Sequence, residues 1–400
     1  MTTDDCDLLI LGASFAGIEL LHQLRRSSAG RRLSITIVDR QATHGYIPLC
    51  QERLLLRLPP ARSELATQRC VDATGTRYLV DEVVGLATAE APALHEVHLA
   101  SGTRLRARFV VIALGSDLAP PPELPGREHL LGYKLAHEFA ATQPRLLATL
   151  ERPAHIVVIG GGISGVELAG ELAHLARARP AGTHAPHVTL IDGGARLLRN
   201  LTERAGRMAA QKLADQGVEL RLRTRVLAVE ARAIVLQRDG DAPETVAHDL
   251  AFWAGGVRPA PVLAELGLPR TASGFLAVGP TLQCFPSQPR SPIFACGDAV
   301  RVQGGTGEWP TMQRAIECLW QARVVARNIL TLAATAPDRH PVLQPHSLTA
   351  DFPHGVSVGA ASMIVYGRLA IELGPVGIGF RRFLMRQYFR RYGGHKTRPT

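Results

Sequence analysis

Unbroken apolar runs, rather than alternation, mark the strands of this chain. Leu8 to Leu11, Phe109 to Leu114, Ile156 to Ile159, Val188 to Ile191 and Leu250 to Ala254 are short and almost wholly apolar. That is the pattern of parallel strands covered on both faces. Between them, apolar positions recur at helical spacing: from about Phe15 to Arg25, at Val166, Ala169, Leu172 and Leu175, over Glu203 to Gln216, and from about Thr311 to Leu332. Residues 76 to 114 read as short strands with polar turns, and Ala119 to Gly126 as a stiff proline-rich connector. Ser357 to Leu373 reads as a strand pair around Tyr366-Gly367-Arg368, and Gly379 to Tyr392 as a helix. Strands alternating with helices predict an α/β chain with parallel sheets.

Two of the strand-to-helix turns are glycine-rich. Gly160-Gly161-Gly162-Ile163-Ser164-Gly165 follows a strand and opens a helix, the context a dinucleotide turn requires. Gly160 permits the tight turn, Gly162 lets backbone N–H groups approach a pyrophosphate, and Gly165 lets the helix pack against its strand. The helix N-terminus adds partial positive charge. Gly12-Ala13-Ser14-Phe15-Ala16-Gly17 is a second copy, with Ser14 at the middle glycine position and a hydroxyl able to bond phosphate. Each copy is followed by a strand ending in an acid, Asp39 and Asp192, placed to accept hydrogen bonds from a ribose. At Asp192 this favours NADH over NADPH. Arg196 and Arg199 lie close by and keep both nucleotides open.

Composition narrows the class. The 400 residues are 46% hydrophobic and 20% charged, enough for two or three cores. Cys6, Cys50, Cys70, Cys284, Cys296 and Cys318 contain no C-x-x-C and suit neither a disulfide framework nor a metal site, which points to a reducing compartment. Acidic residues stand where a secretory leader would be basic, and no apolar run is long enough to span a membrane. The net charge of +10 is spread out except at the C-terminal end. There Arg382, Arg386 and Arg390 form one stripe, with Phe380, Phe383, Leu384, Tyr388 and Phe389 over the rest. Such a helix suits a membrane interface, or packing on the body or across a homodimer. Without a recognition fold, nucleic acid is not expected as a partner.

Taken in order, these motifs resemble the two-dinucleotide-binding-domain flavoproteins. Within them they are most similar to type II NADH dehydrogenases and apoptosis-inducing-factor-like NAD(P)H:quinone reductases. GASFAGI looks like the first FAD turn and YIPLCQE like F-x-P-L-L-Y-E beside the flavin. GGGISGVELAGEL follows G-G-G-P-T-G-V-E-L-A-G-E-L, and AGGVRP follows A-G-V-R-P. ACGDA closes the flavin unit, and PTMQRAIECLWQA stands where the family has P-x-A-Q-x-A-x-Q-Q. The likeness covers nearly the whole chain. It departs at Glu317 and Cys318, which replace glutamines, and at Arg108, where an acid is common.

The resemblance implies two nested Rossmann-like nucleotide-binding domains plus a C-terminal α+β segment with an amphipathic basic helix. The flavin unit would comprise 1–125 and 273–335, the NAD(P)H unit 126–272 and the C-terminal membrane or dimer segment 336–400. FAD is expected on Gly12, Ser14, Phe15, Ala16, Gly17, Asp39, Arg40, Pro48, Val84, Gly115, Gly297 and Asp298. NADH is expected on Gly160, Gly162, Ile163, Ser164, Gly165, Asp192, Gly255 and Gly256. Hydride would pass from nucleotide to flavin and two electrons onward to a quinone, at the inner face of the cell membrane. Glu167, Gln313 and Glu317 are the expected catalytic side chains. Glu167 also reads as an exposed first-turn carboxylate favoured by the helix dipole. Other readings are a soluble flavin oxidoreductase with another acceptor, a sulfide:quinone oxidoreductase drawing on Cys50, Cys284, Cys296 or Cys318, and a redox-sensing interaction protein.

Overall fold

The first apolar run becomes the centre of a parallel sheet. The computed structural model describes residues 3–72, 74–90, 93–178, 185–304, 307–309, 314–347 and 352–393. Thr3–Leu11 lies between Ile35–Asp39 and Arg104–Ile112, parallel to both, with Arg77–Val80 beyond Ile35–Asp39. His95–Leu99 and Val83–Ala87 continue antiparallel from Arg104–Ile112. Leu8 to Leu11 and Val110 to Ile112 are wholly buried, as strands covered on both faces must be.

A second parallel sheet has the order Glu219–Leu222, His187–Asp192, His155–Ile159, Leu250–Trp253. The chain then returns to the first sheet, where Ile293–Ala295 pairs in parallel with Arg104–Ile112. The second sheet is thus inserted between parts of the first, and the fold is two nested Rossmann-like units. The segment from His44 to Glu52 is structured beside the first sheet. Thr43–Gly45 pairs with Glu64–Ala66, and a tight turn at Ile47–Leu49 leads into the short helix Cys50–Leu54.

The C-terminal segment differs from expectation in two ways. It carries three antiparallel strands rather than two, His354–Val358, Ala361–Tyr366 and Leu369–Glu372. The last helix begins early, at Gly374–Tyr392, because Pro375 occupies its first turn, where a missing N–H costs nothing. The three-stranded sheet presses on the helix Ile163–Ala178: a Cβ at Gly170 would lie 2.7 Å from the Gly359 nitrogen, so only glycine allows this contact.

The last helix docks through charge. Arg381 Nη1 meets Glu167 at 2.5 Å, Arg382 Nη2 meets Glu52 at 2.6 Å and Arg391 Nη2 meets Glu19 at 3.1 Å. The expected basic stripe is therefore split: Arg382 turns inward, while Arg386 and Arg390 stay exposed. On the outer face Val376, Phe380, Phe383 and Leu384 are exposed beside Tyr366, Leu369 and Ile371. Among the described residues, no helix is long and apolar enough to cross a membrane.

Glu19 gathers the most partners. Fully buried, it accepts from Arg323 Nε at 2.5 Å, from Gln23 Nε2 at 2.8 Å, from Arg391, and from the Tyr392 hydroxyl. Glu19→Ala leaves the buried Tyr392 hydroxyl unmatched and releases two partly exposed arginines to water. A loss of about 2 kcal/mol is expected in urea unfolding, with faster tryptic cleavage of the last helix. Unchanged stability would mean that the cluster contributes nothing net.

Candidate functional site

The first strand delivers Gly12 at φ +109°, where a side chain would collide with the Ala113 carbonyl. The turn is held from below by Asp39, whose Oδ2 accepts the Ala13 N–H at 2.6 Å and Oδ1 the Gln41 N–H at 2.7 Å. Burial raises the pKa of this carboxyl, against the pull of those two donors. The second turn repeats the device. Asp192 Oδ2 accepts the Gly161 N–H and Oδ1 the Gly194 N–H, both at 2.7 Å. A Cβ placed on Gly162 would meet nothing within 4 Å, so this turn presents an open backbone face at a helix N-terminus. Such a face fits a pyrophosphate.

Two nearby arginines have different roles. Arg196 spends its guanidinium on the carbonyls of Leu197, Leu198, Arg199 and Leu201, which makes it structural. Arg199 is exposed, with Nε 3.6 Å from Asp192.

A groove of about 1000 Å³ runs from the first turn to the last helix. Ala13, Ser14, Phe15, Ala16, Asp39, Arg40, Pro48, Gly115, Gly297 and Asp298 line it, and Ile163, Ser164 and Glu167 bring the second unit to its edge. Gly12 and Gly17 shape the turn from outside the lining. Gly160, Gly162, Gly165, Asp192, Gly255 and Gly256 also fall outside it. Asp298 takes the Ser116 hydroxyl at 3.3 Å and lies 3.8 Å from Lys134 Nζ, which donates to the Ser116 carbonyl at 2.6 Å.

Glu167 is not the exposed first-turn carboxylate considered from sequence. It is buried, and besides Arg381 it accepts from Gln51 Nε2 at 3.1 Å and from the Ser357 N–H at 3.0 Å. Arg381 also donates to the Pro48 carbonyl at 2.6 Å, tying the last helix to the loop beside the groove.

Other expected residues are placed elsewhere. Glu317 is buried against His346 and Gln321 and does not line the groove: its neighbours Ile316, Cys318 and Leu319 do, so only its own side of the first turn of the Ala315–Ala334 helix faces away. Val84 sits on an exposed strand position away from the groove. Gln313 lies outside the described residues. Cys50 and Cys318 line the groove, whereas Cys284 and Cys296 are fully buried outside its lining. Burial pushes the Cys50 and Cys296 thiols up to about 12 and raises those of Cys284 and Cys318 as well, so none is held as the thiolate a sulfur nucleophile needs.

Sequence reasoning missed Lys134, Arg381, His44 and Tyr388. His44 lies two residues before the YIPLCQE motif, and nothing local signals its partners. Arg381 is adjacent to the arginine stripe, and only its burial distinguishes it.

Residues 6–322 match the family described as pyridine nucleotide-disulphide oxidoreductase. The chain is 28% identical over 233 residues to the demethylphylloquinone reductase of Synechocystis, covering 55% of each chain. It is 29% identical over 196 residues to the type II NADH:quinone oxidoreductase of Haemophilus influenzae, covering 47% of this chain and 42% of that one. The chain spans about half the length of the curated relatives it matches. In fold it is similar to NDH2 from Plasmodium falciparum, solved with NADH, at a TM-score of 0.79 and 12% identity over 98% of this chain and 100% of that one. The sulfide:quinone oxidoreductase of Aquifex aeolicus is similar at 0.79 and 15% identity, over 98% and 91%.

Burial lowers the His44 pKa from its ordinary 6.5 to about 4, so the folded chain holds this ring neutral. The unfolded chain binds a proton near pH 6.5. The stability that His44 contributes is therefore complete above that pH and lost as pH falls towards 4. Between pH 7 and 5 the wild type is expected to lose about 2 kcal/mol more than His44→Gln in urea unfolding. Parallel pH curves for the two proteins would show that the ring is not buried neutral.

Proposed function

We propose that this chain, which belongs to the pyridine nucleotide-disulphide oxidoreductase family, binds FAD and NAD(H) and is a peripheral NAD(P)H:quinone oxidoreductase. The observation that carries the acceptor is the groove's opening. Its lining includes Phe380 and Leu384, which are also exposed on the apolar outer face of the last helix. An apolar acceptor can therefore enter from a lipid surface without crossing water. Bound FAD supplies the hydride acceptor and the two-electron donor of this reaction.

The protein's part is orientation and exclusion of water. On this reading the flavin unit is 1–125 with 273–335, the nucleotide unit 126–272 and the membrane-facing segment 336–400. Gly12 to Gly17 carry the flavin diphosphate and Asp39 its ribose. Gly160 to Gly165 carry the nucleotide diphosphate, with Asp192 favouring NADH and Arg199 leaving room for NADPH. Glu167, held by Arg381, orients the nicotinamide edge or delivers a proton to the acceptor, and Lys134 sets the charge at Asp298. The apolar face and the exposed Arg386 and Arg390 would seat the protein on the inner face of an anionic membrane. The high thiol pKa values weigh against sulfide as donor.

Two measurements test this. In anaerobic stopped flow, NADH should bleach the flavin and a short-chain quinone restore it, with Glu167→Gln slowing the cycle roughly a hundredfold at unchanged flavin content. Bleaching without recovery would rule out the quinone. In flotation with vesicles containing anionic lipid, wild type should rise and Phe380→Glu/Leu384→Glu stay behind. If both stay behind and sediment as dimers, the face is an interface between copies.

A further inference from the structure

The last helix reaches the first glycine turn through a chain of three polar side chains, buried at Tyr388 and His44 and partly exposed at Ser14. Ser14 Oγ lies 3.2 Å from His44 Nδ1, and His44 Nε2 lies 2.8 Å from the Tyr388 hydroxyl. Ser14 precedes the helix Phe15–Arg25 but makes no capping hydrogen bond, so the usual reason for serine at that position does not hold. Its hydroxyl is engaged by His44 and lines the groove.

The hydrogens can run in two directions. A neutral imidazole carries one N–H. If Ser14 donates to Nδ1, then Nε2–H donates to Tyr388, and the phenol proton has no acceptor among the described residues. If Tyr388 donates to Nε2, then Nδ1–H donates to Ser14, and the serine proton is free to point into the groove. The second arrangement leaves no buried donor unmatched. Phe15 fixes the ring from the side, its centroid 4.8 Å from that of His44 and 4.9 Å from that of Tyr388.

We propose that Tyr388, His44 and Ser14 form an oriented relay that makes the last helix part of the FAD diphosphate site, with Ser14 donating to a phosphate oxygen. This rests on the flavin reading of the first turn. Tyr388 and His44 are positioning residues, acting through Ser14. Binding is reciprocal: the diphosphate tightens the docking of the helix, and the docked helix tightens the diphosphate. The ion pairs of Arg381, Arg382 and Arg391 keep the helix in place when only the phenol hydroxyl is removed.

The test uses the full chain stripped of FAD and retitrated, with binding read from flavin fluorescence. Ser14→Ala and Tyr388→Phe should each weaken FAD about fivefold. The double variant should be no weaker than Ser14→Ala alone, because the relay ends at the serine. FAD should slow tryptic cleavage at Arg386 and Arg390 in the wild type but not in Ser14→Ala. Unchanged affinity in Tyr388→Phe, or losses that multiply in the double variant, would overturn the relay while leaving the flavin site standing. A wild-type chain that takes up no FAD would overturn the reading of the turn itself.

Discussion

Three buried carboxylates decide where the last helix goes, and with it the shape of the groove. Glu19 stands on the helix after the first turn, Glu52 on the short helix beside Pro48 and Glu167 on the helix after the second turn. Each is almost wholly inaccessible to water and meets an arginine of the last helix. Burying a carboxylate without a partner costs several kcal/mol, so another seating of the helix is penalised most at Glu52, while Glu19 and Glu167 would each lose an arginine and keep other donors. The net gain from forming such pairs is small. What they supply is register: a slip by one turn would part Arg381 from Glu167, Arg382 from Glu52 and Arg391 from Glu19 together, although Glu19 keeps Arg323 and Glu167 keeps Gln51. Because the acids belong to both nucleotide units, the same contacts hold Pro48, the first turn and the second turn around one space.

The strands and the two turns were legible in the sequence because their causes are local. A short apolar run running into glycine, then helical spacing, is determined by residues within one βαβ unit, as at Leu8 to Gly17 and Ile156 to Gly165. Asp39 and Asp192 were equally legible, since the acid follows its turn by one helix and one strand. Their grip on the turn N–H groups, at 2.6 and 2.7 Å, was not. Each carboxylate holds its glycine turn in shape and still has lone pairs to spare for a ribose.

What could not be read depends on contacts between distant segments. Glu317 fell on the right helix but on its core side, where His346 waits from a later loop. Val84 was expected at the flavin from the family resemblance, yet it is exposed and away from the groove. Arg381 and Arg382 are neighbours with identical chemistry and only one was in the predicted stripe, yet both turn inward because a carboxylate faces each. The periodicity of an isolated helix describes its moment. It does not tell which charges the rest of the chain will claim. Two of the five arginines in Arg381, Arg382, Arg386, Arg390 and Arg391 stay exposed with no ion pair among the described residues, and these sit beside the apolar face.

This division of labour along one helix bears on how a donor and an acceptor can share a groove. The inward face carries charge and hydrogen bonds: Arg381 at Glu167 and Pro48, Tyr388 at His44. The outward face carries Phe380, Phe383 and Leu384. A polar nucleotide entering beside Ile163 and Ser164 and an apolar acceptor entering past Phe380 and Leu384 would approach from regions of opposite character. Each would be poorly solvated on the other's route, since charge is costly against the apolar rim and bare hydrocarbon gains nothing among fixed ion pairs. Alternation of the two substrates then needs no moving gate. On the proposed function, a single helix held by three carboxylates would keep the two routes apart.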